Sequence, residues 1–447
     1  MVNVKVNFAK SLAPIKVMHA VNNGPLPRKK DQINDNFSTY RAARIPYARN
    51  HDAAFYSGYG GEHTVDISAV FPNFDADVND PASYDFFYTD RYIQNTLAAG
   101  TKTFYRLGQK IEHGLKKYGI LPPKDFQKWA EICEHIILHY TEGWAEGFDA
   151  GIEYWEIWNE PDLDEDDAEN KRTWGGTWAQ FFDLYEVTAK HLKARFPHLK
   201  IGGPALAYRV GWADLFLSEM KKRNVPIDFF SWHFYSNDAT TGQQRAIEVQ
   251  KYLDANGYSH AESICNEWNY VKDWTDHFSY SVRQIIGIKG AIFQASTMIN
   301  AQHSPCDMMM YYDARPTSFN GLFDFYTPAT PLKGYYSIVM WSKLYELGTE
   351  ADSITDDAEI ASVAAVGDNG EAALLLSWFC DDDSVTEQKS VQLALDGISV
   401  QSLTAYRLDT THSCEAEILS PANRTTLSLS PNSAVLLLVN TTDLFGK

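Results

Sequence analysis

Two carboxylates stand where they could do chemistry. Glu160 lies in Trp158-Asn159-Glu160-Pro161, which closes the apolar run Ile152-Glu153-Tyr154-Trp155-Glu156-Ile157. Glu267 lies in Ser263-Ile264-Cys265-Asn266-Glu267-Trp268-Asn269, at the end of a second apolar run. Both runs read as buried strands, so each acid sits where a strand gives way to a loop. In a parallel barrel that edge carries the active site. A pair of such acids is what cleavage of a glycosidic bond needs. The leaving oxygen requires a proton, and the anomeric carbon requires an anion or an activated water on its other face.

Glu160 is expected as acid/base and Glu267 as nucleophile. Ionised Glu267 would raise the pKa of Glu160 by like-charge proximity and keep it protonated near neutral pH. Neutralised in a glycosyl-enzyme, Glu267 would let Glu160 act as base toward water. Pro161 disfavours helix at Glu160 and predicts an extended backbone there. Glu156 reads as a packed, hydrogen-bonded acid near the barrel core.

Other residue types gather at strand ends. Ser231-Trp232-His233-Phe234-Tyr235 closes a strand next to the Glu267 strand, so the Tyr235 hydroxyl could orient Glu267, and His233 could bond the sugar or a carboxylate. Arg49-Asn50-His51-Asp52 offers hydrogen bonds to sugar hydroxyls, or a surface Arg–Asp pair. Tyr311-Tyr312-Asp313-Ala314-Arg315 could set specificity, and Arg106 or Arg315 could hold a substrate carboxylate. Most of the aromatic residues read as core, while rings near the mouth could wall a sugar. Glu160, Glu267, His233, His51 and His303 could in principle converge on a metal ion. No H-E-x-x-H occurs, and His19 stands alone on the first strand, so neither metal nor cofactor is expected. The stretch Asp162–Glu169 lacks the glycine and spaced terminal glutamate of a calcium loop. It reads as a solvated acidic loop on the active-site face, which disfavours acidic sugars.

The elements that would position these residues alternate. Eight candidate strands are Ile15–Val21, Ile45–Arg49, Thr101–Leu107, Ile152–Trp158, Leu199–Gly203, Ile227–His233, Glu262–Glu267 and Asp307–Tyr312. Helical patterns lie between them. One is carried by Phe126, Trp129, Ala130, Cys133, Ile137 and Tyr140 at three-four spacing, with Pro122-Pro123 upstream. Others span 177–196 and 282–300. This is the α/β pattern of a (β/α)8 TIM barrel. A doubly wound nucleotide-binding sheet would carry G-x-G-x-x-G, which is absent. From 351 the texture becomes short β runs: 360–366, 372–379, 390–395, 426–429 and 434–439, with Asp368-Asn369-Gly370 as a hairpin turn. The expected organisation is a barrel over 14–345 and a β-sandwich over 346–447 that the N-terminal strand, within 1–13, joins.

The 447 residues carry a net charge of −19, a field that does not attract nucleic acid or anionic membrane. No apolar run approaches the ~20 residues of a membrane helix. The N-terminus lacks a signal-peptide pattern, and the five cysteines form no C-x-x-C pair. Reduced thiols in a cytoplasmic protein are the expectation, which leaves the sequons at Asn36, Asn423 and Asn440 without meaning. Nothing excludes a homo-oligomer.

Six blocks, in order, resemble glycoside hydrolase family 39, the family of retaining β-xylosidases and α-L-iduronidases, and more widely the clan A barrel glycosidases. They are Pro122-Pro-Lys-Asp-Phe-Gln-Lys-Trp129, Trp155-Glu-Ile-Trp-Asn-Glu-Pro161, Tyr185-Glu-Val-Thr-Ala-Lys190, Lys200-Ile-Gly-Gly-Pro-Ala205, Ile227-Asp-Phe-Phe-Ser-Trp-His-Phe-Tyr235 and Asn266-Glu-Trp-Asn269. The resemblance implies Glu160 as acid/base, Glu267 as nucleophile and Asn159 on the sugar 2-hydroxyl. It also implies His51, His233 and Tyr235 around the first subsite. Two segments depart from the xylosidases. Tyr105-Arg106-Leu107-Gly108 replaces a Glu-Ile-Gly type block, and Tyr311–Arg315 replaces a Trp-Thr-Phe-Ser-Asp type block. The expected function is a retaining, exo-acting glycosidase on an oligosaccharide or glycoside, a short neutral glycan such as a β-xyloside. Alternatives are an arabinoside, galactoside or uronide specificity, or a non-catalytic glycan-binding barrel.

Overall fold

The structure, a computed structural model, describes residues 1–26, 35–51, 65–317, 319–441 and 444. Strand β1 is Val2–Pro14. It is followed by β2 Val17–Asn22, β3 Tyr47–Arg49, β4 Lys102–Leu107, β5 Tyr154–Ile157, β6 Lys200–Leu206, β7 Phe229–Ser236, β8 Glu262–Tyr270 and β9 Met308–Tyr311. Strands β2 to β9 pair in sequence order and close into a barrel, every neighbour parallel. The expected eight-stranded barrel is therefore the observed one.

The period-two alternation of a strand explains how the barrel serves both a core and a site. Tyr105 and Leu107, Trp155 and Ile157, and Phe230, Trp232 and Phe234 point outward into the core shared with the helices. Their neighbours Phe104, Tyr154 and Phe229 point inward and, with Ile264, Met308 and Met310, fill the barrel floor. One step further toward the C-terminal mouth, the inward positions turn polar: Asn22, Arg49, Glu156, Ser231 and Asn266, all buried. Gly203, at φ +134°, lets β6 run close to β5. A Cβ there would sit 2.8 Å from the Ile157 carbonyl oxygen.

The remaining strands are β10 Thr349–Thr355, β11 Ile360–Val366, β12 Ala372–Trp378, β13 Lys389–Asp396, β14 Leu403–Leu408, β15 Ser413–Leu419, β16 Arg424–Leu429 and β17 Ser433–Val439. With β1 they form one nine-stranded sheet ordered β15-β14-β17-β12-β11-β10-β1-β13-β16. It curls on itself. Val2, Val4, Val6 and Phe8 share an inner core with Leu374, Leu393, Leu403, Leu427 and Leu437, which come from strands far apart in that order. The sheet is thus sandwich-like while hydrogen-bonded throughout. Strand β1 lies within it, antiparallel to β10 and parallel to β13. Three strands escape the sequence pattern: β10, β14 and β15. Strand β15 is an exposed edge, and β10 is polar (Thr-Glu-Ala-Asp-Ser-Ile-Thr), so neither carries an apolar alternation.

The sheet's other face continues the barrel core. Val363, Ala365, Leu375, Leu436 and Leu438 cluster with Phe293 and Trp341 from the helices Ile288–Gln302 and Lys333–Leu347. A polar latch lies beside this contact. Asp381, after β12, accepts from Asn237 at 2.7 Å, Tyr270 at 2.5 Å and Lys272 at 3.2 Å, which follow or end β7 and β8. Among the described residues, no helix is long and apolar enough to cross a membrane. The five cysteines are unpaired, and Cys133, Cys265, Cys306 and Cys414 are buried.

Candidate active site

Glu160 follows β5, the fourth barrel strand, and Glu267 lies within β8, the seventh. A carboxylate oxygen of each and a ring nitrogen of His233 all lie within 4.8 Å of one another. His233 Nδ1 is 2.9 Å from Glu160 Oε1 and 3.7 Å from Glu267 Oε2. The Tyr235 hydroxyl donates to Glu267 Oε1.

A bulge aims Glu267. In the β7–β8 ladder Trp232 pairs with Cys265 but His233 pairs with Glu267, so Asn266 is an extra residue on β8. Strict alternation would put Asn266 and Glu267 on opposite faces. The bulge breaks it, and both side chains turn into the barrel, Asn266 donating to Glu156 and Glu267 meeting Tyr235. Glu160 is held differently from the extended conformation expected before a proline. Its φ is +50° and that of Trp158 is +74°. Two bonds hold it there: its N–H donates to Ala205 O on β6 at 2.9 Å, and Thr173 Oγ1 donates to its carbonyl at 2.5 Å.

Beneath the pair lies Arg49, the centre of a buried network. It bonds Glu156 Oε2 at 2.7 Å, Asn159 Oδ1 at 2.6 Å, Asn22 Oδ1 at 3.3 Å and Glu267 Oε2 at 3.4 Å. It is fully buried, not a surface pair with Asp52, which lies outside the described residues. Glu156 is the packed acid expected, closed by Ser231 at 2.6 Å, Asn266 and Arg49. A guanidinium only donates, so Arg49 fixes the Asn159 amide with its oxygen inward and leaves the NH2 as donor. By the same logic Arg106 Nε, 3.2 Å from His51 Nδ1, places the His51 proton on Nε2.

Burial raises Glu267 from the usual carboxylate range to about 7. Glu160's charge adds to this, against the opposing pull of Arg49 and the Tyr235 hydroxyl. Burial lowers His233 to about 4, so its ring is neutral at pH 7.

The acids open into a cavity of about 700 Å³. His51, Glu160, Tyr235, Glu267 and Arg315 line it, together with Tyr208, Arg172, Arg245, Trp274 and Phe319. Asn159 and His233 lie just beneath. Two expected substrate contacts are corrected. Arg106 is fully buried behind the wall, paired with Asp66 at 2.7 Å and the His51 carbonyl at 2.6 Å, so it orients His51 instead of reaching the cavity. Asp313 is buried too, accepting from Asn23 at 3.0 Å and Arg315 at 2.6 Å, and so aims Arg315. His303 bonds Glu350 at 2.8 Å and takes no part. Glu160, His233 and Glu267 are the acid–histidine trio close enough to hold a cation among the described residues.

Sequence reasoning missed the far walls. Trp274 is 57% exposed. It forms a ring stack with Phe278 and Phe319 at centroid distances of 5.5 and 6.0 Å and meets Tyr235 edge-on at 5.0 Å. A tryptophan amid Lys272-Asp273 and Thr275-Asp276, just past the Glu267 strand, was the available signal. Arg245 had none.

Fold and site together define a parallel barrel with paired carboxylates on strands four and seven and an accessory sheet. The chain belongs to glycosyl hydrolases family 39, which matches residues 4–285. A β-xylosidase of Geobacillus stearothermophilus is 34% identical over 172 residues, 35% of this chain and 31% of the relative. One of Caldicellulosiruptor saccharolyticus is 31% identical over 195 residues, 41% and 37% respectively. The chain thus spans about a third of the length of these relatives. A glucosidase structure from Croceicoccus marinus covers 99% of this chain and 100% of its own, with TM-score 0.80 and 20% identity. A monomeric β-xylosidase of Caulobacter crescentus covers 98% and 100%, with TM-score 0.71 and 17% identity. At these identities the two structures speak to fold.

Proposed function

We propose that the chain is a retaining glycoside hydrolase that releases a single neutral sugar, a β-xyloside being the leading substrate, by double displacement. The observation that carries this reading is the approach of the Glu160 and Glu267 carboxylates to within 4.8 Å. Retaining enzymes hold their carboxyl groups ~5–5.5 Å apart, whereas inverting ones need ~6.5–9.5 Å to admit a water. Glu267 attacks the anomeric carbon while Glu160 protonates the leaving oxygen. Glu160 then deprotonates the water that releases the sugar. Asn159 NH2 and His51 Nε2–H are donors for sugar hydroxyls. The names of the two sequence relatives favour xylose, and the cavity volume suits one or two sugar residues, hence exo action. The five unpaired cysteines suit a cytoplasmic site of action.

A panel of nitrophenyl glycosides, with the first-formed product anomer followed by NMR, tests the reading. Retention is expected. Glu267→Ala should abolish turnover, and Glu160→Ala should slow deglycosylation and be rescued by azide. An inverted product overturns the double displacement. Unchanged rates in both variants mean that the site is a glycan-binding barrel or that catalysis lies elsewhere.

A further inference from the structure

The acidic stretch after the Glu160 strand suggests a mouth that repels anions, but its leading carboxylates, Asp162, Asp164 and Glu165, are engaged locally. Asp162 is buried and accepts from the N–H groups of Ala207, Tyr208 and Arg209 at 2.7, 3.2 and 3.0 Å. Asp164 takes the Arg172 guanidinium at 2.7 and 2.9 Å. Glu165 takes Arg209.

Three arginines line the cavity. Arg172 is bound to Asp164 and Arg315 to Asp313. Arg245, on the helix Thr241–Ala255, is different. Its Nη1 donates to the His233 carbonyl at 2.6 Å. Among the described residues, no carboxylate is recorded within 4.0 Å of it, and its other N–H groups meet no protein acceptor yet are not sealed from solvent. A guanidinium keeps its proton and offers five donors in a fork matched to a carboxylate. Its position is also defined. The His233 backbone holds Arg245, while the His233 ring holds Glu160. Tyr208 lines the same cavity, just past the Ala205 carbonyl that anchors Glu160.

We propose that Arg245 forms a subsite for a carboxylate carried by the leaving group, so that this enzyme prefers glycosides with an acidic aglycone. The proposal rests on the assignment of Glu160 as proton donor to the leaving oxygen, which puts the aglycone on the Arg245 side. The sugar whose bond is cut can remain neutral.

The test is a matched pair of substrates, 3-carboxyphenyl and 3-carbamoylphenyl glycosides of whichever sugar the wild-type enzyme releases fastest. They differ in charge and little in shape. Wild type is expected to favour the carboxylate about tenfold in kcat/KM, a preference that shrinks as salt rises. Arg245→Gln should bring the ratio to about one, and Arg245→Lys should retain part of it, because a point charge remains without the fork. The ratio is taken within each enzyme, so a general loss of activity cancels. An equal rate on the two substrates in wild type, a salt-independent preference, or a ratio that survives in Arg245→Gln overturns the subsite. Failure of wild type to release any sugar from the nitrophenyl panel that selects this pair instead overturns the hydrolase reading beneath it, whereas failure on both carboxyphenyl and carbamoylphenyl glycosides of a sugar it does release overturns the subsite.

Discussion

Tyr235→Phe isolates one atom of the proposed nucleophile's support. It removes the hydroxyl that donates to Glu267 Oε1 and leaves the ring against Trp274 and Phe319. Burial holds Glu267 at about 7, and this hydrogen bond is one of the interactions keeping it from going higher. A hydrogen bond to a charged group is worth about 1.5–3 kcal/mol, and one pKa unit is about 1.4 kcal/mol. Its loss should therefore raise Glu267 by about one to two units. A nucleophile must be ionised, so the acid limb of kcat/KM, which reports the free enzyme, should move from about pH 7 to roughly pH 8–9. At pH 7 the variant should keep about a tenth to a hundredth of its own alkaline plateau. The assay is initial rates on a nitrophenyl glycoside across the range. Its good leaving group needs little protonation, so Glu160 does not cut off the alkaline side. A profile that scales down uniformly without moving refutes the reasoning, because the hydroxyl would then not be stabilising the ionised form.

Three further outcomes follow from particular residues. Arg49→Met strands Glu156 in the barrel and should cost about 3–5 kcal/mol, the price of unpairing a buried charge, read as a lower urea midpoint; an unchanged midpoint refutes the network's role. Trp274→Ala removes an exposed ring from the cavity wall and should change stability by no more than about 0.5 kcal/mol while raising KM about two- to tenfold; an unaltered KM on every glycoside cleaved removes Trp274 from the binding surface. His19 is buried, its pKa lowered by burial from 6.5 to about 3, so it folds neutral. Its contribution is full above about pH 6.5 and is lost as pH falls toward 3. His19→Phe should flatten the fall in urea midpoint between pH 7 and pH 4, and an equally steep fall in the variant refutes this.

The barrel was legible because parallel strands covered on both faces are written as continuous apolar runs, and all eight runs pair in chain order. Glu160 and Glu267 were legible because each breaks such a run at its C-terminal end. The N-terminal strand was half legible. Its alternation at Val2, Val4, Val6 and Phe8 marked a strand, but not a place beside both β10 and β13.

What the sequence hid was pairing rather than residue type. Arg49, Arg106, Arg245 and Arg315 are the same residue near the same barrel mouth, on strands, a helix and a loop, yet one is a buried hub, one orients a histidine, one is aimed by an aspartate and one keeps its donors open to the cavity. Only distance to a carboxylate separates them: 2.7 Å for Arg49 to Glu156, 2.7 Å for Arg106 to Asp66 and 2.6 Å for Arg315 to Asp313, with none recorded for Arg245 among the described residues. Those carboxylates come from another strand, from a loop 40 residues earlier or from two residues away, so no single local spacing encodes the difference. The same holds for the acidic run Asp162–Glu169, in which Asp164 and Glu165 pair with Arg172 and Arg209 and Asp162 takes three backbone N–H groups. Net charge therefore misleads about this mouth. A chain of −19 still carries a cavity in which an arginine keeps N–H donors open.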